Sequence, residues 1–107
     1  MEHLDFEHTL GIKVEEGANA KAIFYIKKET GLSLAEIKER IQADDYIYES
    51  IVGDLEDLKK INQMKRELMQ YSATSHLFQD DIEKTSEFFD NIEQRGIQTA
   101  QEEFNCY

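Results

Sequence analysis

The stretch that most restricts how this chain can fold is residues 30–41, Thr-Gly-Leu-Ser-Leu-Ala-Glu-Ile-Lys-Glu-Arg-Ile. Gly31 stands where a helix would end in a left-handed residue, a conformation glycine enters without a Cβ clash. Just beyond it, Ser33 and Glu36 have the spacing of a capping box, in which each side chain takes up a backbone amide left unpaired at a helix start. Leu32 and Ile37 bracket that start as a hydrophobic staple. Leu34, Ile37 and Ile41 then give the new helix an apolar stripe. Upstream, Asn19 can cap a helix running to about Thr30, with Ala22, Ile23 and Ile26 facing inward. Residues 19–42 are therefore expected to form two helices joined by a very tight corner.

Strand signals flank this pair. Phe6, His8, Leu10, Ile12 and Val14 alternate with polar residues or glycine, the period-two pattern of a half-buried strand. Residues 45–52 are rich in β-branched and aromatic side chains and predict a second strand. Gly53 and Asp54 turn the chain. Asp54 can then cap a third helix carrying Leu55, Leu58, Ile61, Met64, Leu68 and Tyr71 at three- and four-residue steps. A short third strand is expected over 74–81. Ile82, Phe89, Ile92, Ile97 and Phe104 fit a final amphipathic helix over 82–107, weakened or bent at Gly96. The order β-α-α-β-α-β-α predicts an α+β fold: a small sheet packed by helices, with the last helix added to a 6–80 core.

A length of 107 residues without proline, repeats or low-complexity tracts suits a single domain spanning 1–107. The one cysteine, Cys106, leaves no internal disulfide and points to an intracellular setting. No run of about 18 apolar residues is present, and the acidic first ten residues lack a hydrophobic export signal. A cytoplasmic protein that does not enter membranes is expected. The net charge of −11 opposes attraction to phosphate backbones, so no nucleic-acid partner is expected. The charge is uneven. Residues 79–107 hold eight acids against Lys84 and Arg95, a balance of −6, whereas residues 21–40 balance at +2.

The helical corner and the element order together resemble the C-terminal domain of the bacterial large-subunit ribosomal stalk protein, the acidic protein called seven/twelve. That family carries Thr-Gly-Leu-x-Leu-x-Glu-Ala-Lys at this corner. Thr30, Gly31, Leu32, Leu34, Glu36 and Lys38 match it in register, with Ile37 in place of the alanine. The resemblance covers about residues 6–80 and implies the stalk-domain fold. It also implies recruitment of translational GTPases through basic residues on the first two helices. Those positions fall on Asn19, Phe24, Lys27 and Lys38, so two of the four are not basic here. The stalk protein's dimerising region and hinge have no counterpart in this sequence, and the acidic segment 82–107 has none in the stalk domain.

Chemistry-bearing patterns are scarce. His3, His8 and His76 have no Cys, Asp or His at metal-ligand spacing, and the Asp-Asp pairs at 44–45 and 80–81 lack the spacing of a calcium loop. Without a glycine-rich phosphate loop or a nucleophile–base pair, neither an enzyme nor a cofactor is expected. Protein binding is the expected function. Phe24 lies about 100° from Ile23 on the helix; Phe24 and Tyr25 then serve either in core packing under the last helix, the first reading, or as an aromatic anchor in company with Lys27, Lys28 and Lys38. Glu83, Glu87, Asp90 and Glu93 offer the opposite: an acidic face for a cationic protein, as in a small inhibitor or immunity protein that neutralises a toxin. A stalk-like recruiter of a translation GTPase is the alternative. A helix-turn-helix DNA-binding regulator ranks below both, since Glu36 and Glu39 share the surface that would face the groove.

Overall fold

Leu10–Val14 form the strand around which the rest of the molecule is arranged, β1, with Leu10, Ile12 and Val14 all buried on one face. The computed structural model describes residues 9–50 and 55–105, with side chains through residue 95. After β1 come α1 (Ala20–Thr30), α2 (Leu34–Gln42), β2 (Tyr48–Ser50), α3 (Leu55–Gln70), β3 (Ser75–Gln79), β4 (Ile82–Lys84) and α4 (Ser86–Asn105). The strands make one antiparallel sheet in the order β2-β1-β3-β4, in which Ile12 of β1 faces Tyr48 of β2 and Leu77 of β3. The protein is thus a small α+β domain.

One core unites the sheet and the helices. Ile12, Ala22, Ile26, Ile37, Ile47, Ile61, Met64, Leu68, Leu77 and Phe89 are each essentially inaccessible. The corner has its expected geometry. Gly31 takes φ 77°, and its N–H donates to Lys27 O at 2.9 Å. Glu36 N–H donates to Ser33 Oγ at 3.1 Å, and Ser33 N–H donates to Glu36 Oε1 at 3.2 Å. Asn19 caps α1 by accepting from Ala22 N–H at 2.9 Å, and its own amide donates to Tyr71 O at 3.0 Å, tying α1 to the end of α3. Phe6, His8, Ile51, Val52, Gly53 and Asp54 lie outside the described residues.

The segment after β3 departs from the sequence reading. Ile82–Lys84 is a fourth strand rather than the start of a helix, and it pairs back on β3 with Gln79 opposite Ile82. Asp80 and Asp81 both hold positive φ, 53° and 66°, the backbone handedness of a two-residue hairpin turn. Their carboxylates fix it: Asp80 Oδ1 accepts from Thr9 N–H at 3.0 Å and Asp81 Oδ1 accepts from Tyr46 O–H at 2.6 Å. Ile82 consequently leaves the apolar stripe and is 60% exposed. The last helix starts at Ser86, capped where Phe88 N–H donates to Thr85 Oγ1 at 3.0 Å, and runs unbroken through Gly96.

The helices pack on the face that carries Leu10, Ile12 and Leu77. The opposite face carries Gly11, Lys13, His76 and Phe78, as strand alternation requires. The Tyr46 ring lies directly against Gly11, and its edge meets Phe78 with centroids 5.6 Å apart. Lys13 Nζ sits 5.0 Å and 4.7 Å from the centroids of these two rings. It also pairs with Asp44 at 3.7 Å. This aromatic and cationic layer seals part of the open face. Among the described residues, no helix is long and apolar enough to cross a membrane.

Candidate protein-docking surface

α1 carries the most exposed aromatic ring among the described residues. Ala22 and Ile26 occupy its buried face, and Ile23 and Tyr25 flank that face half-buried. Phe24 falls outside this arc and is 58% exposed. At 100° per residue, Lys21, Phe24 and Lys28 lie within about 60° of one another, with Lys27 on the next edge. All three lysines are exposed, and none has an ion-pair partner among the described residues. An apolar ring is therefore set among exposed ammonium groups on a helix capped at both ends. Lys21 was not anticipated, although its spacing of three and seven from Phe24 and Lys28 carries the signal.

Beside this stripe, α1 and α2 leave a shallow groove of about 360 Å³ whose walls include Gly17, Ala18, Ile23, Lys38 and Ile41. Lys38 stands on its α2 side and is exposed. Tyr25 has a different role. Its ring packs on Tyr71 with centroids 5.7 Å apart, and its hydroxyl is buried with no partner among the described residues. Burial, reinforced by Glu29 and Glu67, pushes that phenol up to about 12. Tyr25 helps hold α1 to α3 and is half-buried, unlike the exposed Phe24.

The four acids expected to act together are dispersed. Glu83 points to the open sheet face, where its carboxylate meets His76 Nδ1 at 2.6 Å. Glu93 accepts from the buried Asn62 amide at 2.7 Å. Asp90 pairs loosely with Arg66 across α3 and α4 at 3.7 Å. Glu87, in the first turn of α4, is exposed. Three of these four carboxylates are therefore engaged within the fold. The partners of Asp90 and Glu93 lie on α3, more than 20 residues back along the chain, which spacing within 79–107 does not reveal.

Among the described residues, no group of three or more His, Cys, Asp or Glu side chains could hold a metal ion. Comparison of the chain with protein-family models, with curated proteins and with solved structures gives no significant match.

Proposed function

We propose that this chain is a non-enzymatic protein-binding domain that docks through the α1–α2 face onto a partner offering an apolar socket bordered by carboxylates. The observation that carries this reading is Phe24, 58% exposed among Lys21, Lys27 and Lys28. An aromatic side chain ringed by cations costs solvation when free, and it supplies both contact area and charge complementarity when bound. The immunity-type reading draws on the net charge of −11. It is the weaker of the two, because three of the four acids it relies on already have internal partners. The test is capture from cells with the wild-type chain beside Phe24→Ala and Lys28→Glu. A protein retained by the wild type and lost by both variants supports the α1 face. One retained equally by all three overturns it.

A stalk-like recruiter of a translation GTPase is a second reading of the same face. It is favoured by Lys27 and Lys38, which are both exposed on the two helices of the matching corner. Purified elongation factors provide its test: binding lost in Lys27→Glu/Lys38→Glu supports it, and no binding by the wild type ends it.

A further inference from the structure

On the open face of the sheet, His76 of β3 sits opposite Lys13 of β1, and both of its ring nitrogens meet carboxylates. Nε2 lies 2.6 Å from Glu15 Oε2 and Nδ1 lies 2.6 Å from Glu83 Oε2. A neutral imidazole has a single N–H, so only the doubly protonated ring can donate to both. The carboxylates approach opposite nitrogens, so the three side chains do not converge on one point as metal ligands would.

What the bridge connects gives it consequence. Glu15 follows β1 directly, and Glu83 is the middle residue of β4. β4 is an edge strand joined to β3 through only three residue pairs, Leu77–Lys84, Phe78–Glu83 and Gln79–Ile82. A strand this short is marginal without further support. Only Thr85 separates it from α4, so whatever holds β4 down also holds the root of that helix.

We propose that His76 is a proton-operated clamp, fastening β4 to the central strands while its ring is doubly protonated and releasing it when one ring proton leaves.

The surrounding charges determine how complete the release is. Lys13 faces His76 across the β1–β3 pairing, and Lys84 adjoins Glu83 on β4. Lys65 reaches in from α3, its ammonium donating to Ser75 O at 2.5 Å. Burial lowers the Lys65 ammonium pKa, against the pull of Glu83 and Glu15. These cations soften the repulsion between the carboxylates. Among the described residues, however, none other than His76 is ion-paired with either of them. The hydrogen bonds to Glu15 and then Glu83 raise the His76 pKa above the ordinary 6.5, against a smaller opposing effect of burial. The clamp is therefore complete below about 6.5 and is lost as pH rises through the higher folded-state value. Mild acid tightens the hairpin, and alkaline solution loosens it.

The test follows the His76 ring by NMR in the full chain, together with amide hydrogen exchange in β4 referenced to Ile61 and Met64 of α3. The expected ring midpoint lies above 6.5. Protection of Glu83 and Lys84 relative to α3 should fall through that same midpoint, by no more than about tenfold per pH unit for one proton. His76→Gln should flatten this dependence. Glu83→Gln should move the ring midpoint back toward 6.5, and it keeps the test open if His76→Gln does not fold. A wild-type midpoint at or below 6.5, or a β4-to-α3 protection ratio that ignores pH, overturns the clamp.

Discussion

Asn62, buried at the centre of α3, donates its side-chain amide to the Glu93 carboxylate of α4 at 2.7 Å. The same nitrogen reaches Phe89 O at 3.3 Å, so one amide group serves two positions a helical turn apart on α4. A polar side chain this deep is stable only with its hydrogen bonds made. It fixes α4 on α3 beside the fully buried Phe89 ring.

Glu93 is therefore structural despite its place in an acidic helix. Glu93→Ala should cost about 1–2 kcal/mol by leaving a buried amide hydrogen without its partner. Glu87→Ala, at an exposed position, should stay within about 0.5 kcal/mol of the wild type. Urea denaturation midpoints at unchanged slope measure both. Coincident midpoints for the two variants would remove this role for the Asn62–Glu93 bond.

The corner can be tested through Gly31, whose φ of 77° is left-handed and whose surroundings leave room for a Cβ. With no steric contact to complicate the result, substitutions there report backbone strain alone. Asn, which tolerates the conformation, should cost least. Ala should cost about 1–2 kcal/mol, and Val more, because a β-branched residue is strongly disfavoured there. Ser33→Ala should cost about 1 kcal/mol through loss of the cap. Thermal melts that rank Asn, Ala and Val alike would reject the left-handed assignment.

This corner was legible in the sequence because its signals are local. Gly31, Ser33 and Glu36 act on backbone groups within four residues of themselves. The offset of Phe24 from Ile23 was legible for the same reason, since helix geometry alone sets it, but its exposure was not, because nothing in the sequence shows that the last helix leaves it uncovered. The β3–β4 hairpin was not. Its turn is Asp-Asp, without the glycine that marks such turns, and Ile82, Phe89 and Ile92 happen to recur at helical spacing. Nor could the sequence show that His76 meets Glu15, 61 residues away. Only the strand register brings those two together.

Gly11 has an ordinary backbone but a crowded surface. A Cβ there would collide with the Tyr46 ring, which lies on the strand. Gly11→Ala should destabilise the domain by about 1–3 kcal/mol, as overpacking does. Removing the ring should relieve most of that cost, so that Gly11→Ala costs far less in a Tyr46→Ala background. A double-mutant cycle in urea measures the coupling. Strictly additive effects would mean that the ring and the glycine do not constrain each other.

Tyr25 and Tyr46 should respond in opposite directions to loss of a hydroxyl. The Tyr25 hydroxyl is buried with no partner among the described residues, so Tyr25→Phe should be neutral or stabilising. Tyr46→Phe gives up the 2.6 Å bond to Asp81 and should cost about 1 kcal/mol. Alkaline pH, by contrast, acts on both phenols in the same direction. Burial and the Asp81 hydrogen bond raise the Tyr46 phenol above the ordinary 10.0. Above pH 10 the unfolded chain therefore sheds a proton that the folded chain keeps, and stability falls as pH climbs. In Tyr46→Phe that decline should be shallower than in the wild type. Tyr25→Phe should also soften it, because its phenol is pushed up to about 12. Urea midpoints at pH 9, 10 and 11 measure all three proteins. A decline of the same steepness in each would show that neither phenol titrates differently in the folded domain.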